Sequence, residues 1–163
     1  MRIEAVPVDE ATSLPGVADA VPLESAHSDR YHSSPSSGRE AVRSELQLVQ
    51  RFEKHLSALG HEYVRYKITV PDEGVLYTDI ADLTAVVLYE AKGVPDRESI
   101  RTAVGQLLDY RRHIVPEPAV AVLLPDRPSA DLLSLLDTEG IGCVFEGRIG
   151  SFRDVGSEHG QRL

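Results

Sequence analysis

The sequence predicts an α/β protein, with a mixed central sheet flanked by helices. Three observations point there. Segment 38–59 repeats its apolar residues with the 3.6-residue period of an amphipathic helix. The runs Val86-Val87-Leu88 and Val120-Ala121-Val122-Leu123-Leu124 are apolar throughout, as strands covered on both faces are. Helical and extended patterns then alternate to residue 155, the order of a layered α/β fold.

The elements follow in turn. Order begins at Ser37-Gly38-Arg39-Glu40, where a Ser followed three residues later by Glu makes a capping box. The first helix runs to about Leu59, and Gly60 supplies its stop. Segment 61–70 is extended and rich in β-formers, and Pro71-Asp72-Glu73-Gly74 is a turn. Segments 75–81 and 85–91 read as two strands around an Asp82-Leu83-Thr84 turn. Asp96 caps a second helix that runs to about Ile114, where Pro116 and Pro118 end it. A strand at 119–124, a helix at 128–137, a strand at 141–145 and an edge strand at 149–155 complete the order α-β-β-β-α-β-α-β.

The 163 residues give room for one domain plus a tail. Residues 1–37 are rich in Pro, Ser, Ala and acids and keep no period, which predicts a disordered acidic tail or linker. The domain is expected over 38–155, with a flexible tail at 156–163. The net charge is −9, of which residues 1–38 carry −4. This is no basic clamp for nucleic acid. The single cysteine, Cys143, lies in the apolar setting Ile141-Gly142-Cys143-Val144-Phe145. It excludes an internal disulfide framework and a Cys-based zinc site and reads as a buried structural thiol. No stretch reaches the ~18 apolar residues of a membrane helix. The early acids Glu4, Asp9 and Glu10 do not suit a signal peptide. A cytoplasmic protein without a membrane partner is therefore expected.

The chemistry centres on Glu90-Ala91-Lys92. Strand alternation puts Glu90 and Lys92 on one face, at the end of an apolar strand. Taken alone, the pair is equally consistent with a surface salt bridge. Asp79 lies on the preceding strand, across a tight turn, and carboxylates from adjacent strands converge on one hard cation. Asp82 is the alternative ligand, although Asp is also favoured in the turn itself. On the first helix, Ala41, Leu48, Val49, Phe52, Leu56 and Leu59 fall within about 60° of Glu45, so this carboxylate sits at the centre of an apolar stripe. It reads either as a further acid at the metal site or just around it, or as half of a buried ion pair. Gln106 and Tyr110 share one face of the second helix. Arg97, Arg101 and Arg112 lie on its exposed side, as phosphate contacts or as a solvated ridge.

Together these residues resemble the PD-(D/E)XK nuclease superfamily, whose restriction-endonuclease-like core is α-β-β-β-α-β. Asp79 and Glu90-Ala91-Lys92 match its Asp and Glu-x-Lys, Glu45 its first-helix acid, and Gln106-Leu107-Leu108-Asp109-Tyr110 the Gln-x-x-x-Tyr of recombination-type members. Thr78 stands where Pro precedes the Asp in the motif. Over about residues 39–155 the sequence also resembles actinobacterial restriction-endonuclease-like domains, in which a stretch like Tyr89-Glu90-Ala91-Lys92-Gly93 leads into one like Ala103-Val104-Gly105-Gln106-Leu107-Leu108-Asp109-Tyr110-Arg111-Arg112. The resemblance implies Mg²⁺-dependent hydrolysis of DNA phosphodiesters, with Mn²⁺ as a substitute. Asp79 and Glu90 would bind metal, Lys92 would serve the nucleophile, and Glu45 and Gln106 would support the site. It further implies a homodimer or a separate DNA-recognition domain or subunit.

The primary expectation is thus a restriction-type DNA endonuclease, such as the cleavage domain of a modification-dependent system. A repair or recombination exonuclease is the second reading, from Gln106 and Tyr110. A catalytically silent nuclease-like protein used for binding or assembly is the third, from the acidic balance.

Overall fold

A computed structural model describes residues 16–21 and 36–155. Eight strands make one mixed sheet: β1 Val17–Val21, β2 Tyr63–Val70, β3 Gly74–Tyr77, β4 Ile80–Asp82, β5 Val87–Ala91, β6 Ala119–Leu124, β7 Gly142–Arg148 and β8 Ser151–Asp154. They lie in the order β1-β2-β4-β5-β6-β7-β8, and β3 also pairs with β2. The β5–β6 and β6–β7 pairs are parallel and the others antiparallel. Three helices, α1 Ser36–Ala58, α2 Arg97–Arg111 and α3 Ala130–Thr138, cover the two faces. The predicted α/β class with a mixed, helix-flanked sheet holds at this level.

Alternation along the apolar strands supplies both faces of the core. Leu88, Val120, Val122 and Cys143 face α2 and α3, packing on Ile100, Ala103, Leu107, Leu132 and Leu136. Tyr89, Ala91, Ala121, Leu123 and Val144 face α1, packing on Leu48, Val49, Phe52 and Leu56. Cys143 is buried as expected, and burial pushes its thiol up to about 11. The α1 stripe stops short of the prediction. The helix ends at Ala58, Gly60 takes φ +75, and Leu59 is exposed. Asp96 caps α2 by accepting from the Ser99 amide, whereas Ser37 falls inside the first turn of α1 instead of at its cap.

Two departures matter for the site. The first lies in the stretch read as a tail, where Val17–Val21 forms an antiparallel strand along β2. Five residues are too few to show a period. Their place is fixed from elsewhere, because buried His113 accepts the Gly16 amide at its Nδ1, 2.6 Å away. Residues 1–15, 22–35 and 156–163, the rest of the two expected tails, lie outside the described residues. The second is that 75–81 is not one strand. The register against β2 slips by one residue between β3 and β4, as at a β-bulge. Thr78 holds the slip with its amide on the Tyr66 carbonyl and its hydroxyl on the Tyr66 amide. The buried Arg65 guanidinium donates to the Thr78 carbonyl at 3.0 Å. No helix among the described residues is long and apolar enough to cross a membrane.

Candidate active site

The one-residue slip decides where Asp79 points. Leu76 on β3 packs toward α2, yet Ile80, four residues on, packs toward α1. Simple alternation would have kept both on one face. One extra residue flips everything after it, and Asp79 emerges on the α2 face. The pair Ile80↔Tyr89 places Asp79 one step along, opposite Glu90. Oδ2 of Asp79 accepts the Ala91 amide at 2.8 Å, which fixes the carboxylate against the end of β5.

Glu90 shares that face with Leu88, as strand alternation requires. Its Oε1 accepts from Lys92 Nζ at 2.9 Å, and the same ammonium donates to Gln106 Oε1 at 2.7 Å. Gln106 Nε2 donates in turn to the Tyr110 hydroxyl at 3.3 Å. Burial pushes the Tyr110 hydroxyl above the ordinary phenol range, and the carboxylates of Glu90 and Asp79 add to the shift. Five predicted residues, Asp79, Glu90, Lys92, Gln106 and Tyr110, thus form one cluster between β4, β5 and α2. Asp79 and Glu90 are each 4% exposed and Lys92 9%. This is a concentration of charge that a core tolerates only when it is paired.

Glu45 stands beside the cluster, against the chain that leaves it. It is half-buried on α1, on the other face of the sheet, and its Oε1 accepts the Gly93 amide at 3.3 Å. Its carboxylate grips the chain just beyond Lys92. Asp82, the alternative metal ligand, is corrected. It lies at the far end of β4, opposite Val87, about 10 Å along the strand from Asp79. There its Oδ1 accepts the Thr84 and Ala85 amides and its Oδ2 meets His61 Nδ1 at 2.6 Å. It is the acid of the turn, as its residue type also allowed.

Of the three arginines read as phosphate contacts, Arg97 donates to Asp131 and Arg112, the cap residue of α2, donates to Asp109. Arg101 is exposed and keeps no ion pair among the described residues. Of these three it is the one whose guanidinium is not held by a carboxylate there. Sequence reasoning missed Gly93 and the Thr78–Arg65 bulge. A glycine directly after Glu-x-Lys was the available signal for the first. For the second there was none, because a register slip is a property of two strands.

The donor set fits a hard divalent cation. Mg²⁺ commonly takes one or two protein carboxylates and completes its octahedron with water and phosphate oxygens. Asp79 and Glu90 supply that number. Among the described residues, no three His, Cys, Asp or Glu side chains gather into a metal-holding group. No family model, curated protein or solved structure matches the chain.

Proposed function

We propose that the protein is a metal-dependent DNA endonuclease of the restriction type, with α1, β2, β3–β4, β5, α2 and β6 as a restriction-endonuclease-like core. One observation carries the reading: Asp79 stands opposite Glu90 on adjacent strands, with Lys92 joined to Glu90 on the same face. Asp79 and Glu90 would hold Mg²⁺, or Mn²⁺ in its place. Such an ion supplies the charge that polarises a phosphodiester and eases deprotonation of an attacking water. Lys92 orients that water or offsets the charge that builds on the phosphoryl oxygens. Gln106 holds Lys92, Tyr110 holds the Gln106 amide, and Glu45 fixes the backbone at Gly93. Arg101 is the phosphate contact, and Arg97 and Arg112 can contribute by exchanging their carboxylates for phosphate.

The net charge of −9 limits how much DNA affinity this chain supplies. Targeting therefore falls to a separate recognition domain or subunit, with a homodimer as the arrangement that cuts both strands. The cytoplasm, where DNA and Mg²⁺ meet, is the compartment this implies. The acidic surface also favours a second reading, a nuclease-like protein that binds without cutting.

The test is cleavage of supercoiled and linear DNA, methylated and unmethylated, with Mg²⁺ or Mn²⁺. Wild type is compared with Lys92→Ala and Glu90→Ala. Both variants are expected to fold and to lose cleavage. Unchanged cleavage in the folded variants removes the site assignment. Attack on linear DNA alone points to the exonuclease reading, and no cleavage of any DNA to the binding one.

A further inference from the structure

The ammonium of Lys92 is not simply near Glu90. It donates to Oε1 of that carboxylate at 2.9 Å, inside a cluster where the Lys92 side chain is 11% exposed and that of Glu90 5%. Asp79, the second carboxylate, lies across the ladder. Facing carboxylates this dry need positive charge nearby, and the fold places the Lys92 ammonium on Glu90. Its other acceptor is Gln106, a neutral oxygen 2.7 Å away. The Tyr110 hydroxyl accepts from the same amide and keeps that oxygen turned toward Lys92.

A lysine in this position competes with any divalent cation for the same carboxylate. We infer that Lys92 is the resident counter-ion of the site and an intramolecular competitor for the cation. Loading requires Glu90 to give up Lys92, and Gln106 retains the ammonium when it does. This rests on the metal-dependent reading of the site proposed above. Two results follow. The cation alone binds weakly, because each ion taken up leaves two positive charges side by side. A phosphate brings negative charge and further oxygen ligands to that place, so cation and DNA bind cooperatively, each raising the affinity for the other by the same factor.

The test is calorimetric titration of Mn²⁺ into the full chain without DNA. Wild type is compared with Lys92→Met, Lys92→Gln and the double variant Lys92→Met/Asp79→Asn, with thermal unfolding recorded alongside. Both single variants are expected to melt below wild type without the ion, since Glu90 loses the Lys92 ammonium. They are expected to bind Mn²⁺ about tenfold more tightly or better, and to be stabilised by it more than wild type is. The double variant is expected to lose that gain. Lys92→Gln keeps an N–H donor toward Gln106 and serves as the folded comparison if Lys92→Met does not fold. Equal or weaker binding in the single variants, with binding still dependent on Asp79, overturns the inference and leaves the site reading standing. No Mn²⁺ binding by wild type or by either single variant overturns both.

Discussion

Gln106 Oε1 accepts a hydrogen bond from Lys92 Nζ at 2.7 Å, so helix α2 holds the end of strand β5 through an uncharged group. A neutral acceptor fixes the ammonium without cancelling its charge. Gln106→Leu keeps the bulk and removes the acceptor. It is expected to lower turnover about 10- to 100-fold, the usual effect of losing a residue that orients a functional group. The stability cost is about 1–3 kcal/mol for the lost hydrogen bond. Steady-state cleavage and a urea melt check both figures. Full activity in a stable variant would falsify the positioning role.

Much of this cluster was legible in the sequence because its parts are local. Glu90 and Lys92 lie two apart on a strand, and Gln106 and Tyr110 four apart on a helix. Each pair meets through the period of its own element. What could not be read depended on pairing between elements. The slip at Thr78 turns Asp79 onto the α2 face, but it exists only as a mismatch between two strand registers. Residues 17–21 join the sheet by pairing with β2, and Gly16 beside them donates its amide to His113, 97 residues away. Glu45 stood out in the sequence as the one acid on the apolar stripe of α1. Its destination depended on how α1 sits over β5, a close approach in which a side chain at Gly93 would meet Ala41 and Ser44.

Asp79→Asn should separate stability from function. An Asn oxygen can still accept the Ala91 amide, and removing one of two facing carboxylates relieves like-charge repulsion with Glu90. The variant is expected to melt within about 1 kcal/mol of wild type or above it, and to lose DNA cleavage by at least about 10³-fold. Scanning calorimetry with a plasmid assay decides the matter. Retained cleavage would remove Asp79 from the site.

Two glycines give opposite expectations. A Cβ at Gly93 would lie 3.0 Å from the Ala41 carbonyl and 3.3 Å from Ser44 Cβ, so Gly93→Ala must push α1 away from β5 and stretch the Glu45 contact. The expected cost is about 1–3 kcal/mol, with a fall in activity. Gly105 sits inside α2, and a Cβ there meets nothing within 4 Å. Gly105→Ala is expected to stabilise by about 0.5–1 kcal/mol and to leave activity unchanged. Equal melting points for the two variants would contradict the tight approach of α1 to β5.

Strand β1 is held at one end by a single buried acceptor. His113→Leu removes Nδ1 and leaves the Gly16 amide without its partner, at a local cost of about 1–3 kcal/mol. Amide hydrogens of residues 17–21 are expected to exchange faster in this variant, while those of β5 and β6 keep their protection. Uniform loss of protection across the sheet would show instead that His113 supports the whole core.

The pair that ties α1 to β7 sets a pH dependence of known sign. Burial alone would push the Glu146 carboxyl up, but the paired Arg51 guanidinium and the Gly150 amide hold it below the ordinary glutamate range. Arg51 meets it with two hydrogen bonds, each 2.7 Å. Because the folded value is the lower one, the unfolded chain takes up the proton first as pH falls. The stabilisation is therefore fully present above the ordinary glutamate pKa of about 4.3, and it is lost as pH drops through the folded value. Arg51→Met leaves Glu146 buried with less support. It is expected to cost about 2 kcal/mol at pH 7, below the range for a fully buried pair because Arg51 remains partly exposed. At pH 3 the difference should shrink, since protonation of Glu146 removes the charge that the variant leaves unbalanced. Urea unfolding of both proteins at pH 7, 5 and 3 measures it. A constant difference across that range would mean that Arg51 acts through the packing of its stem on α1 and not through its charge.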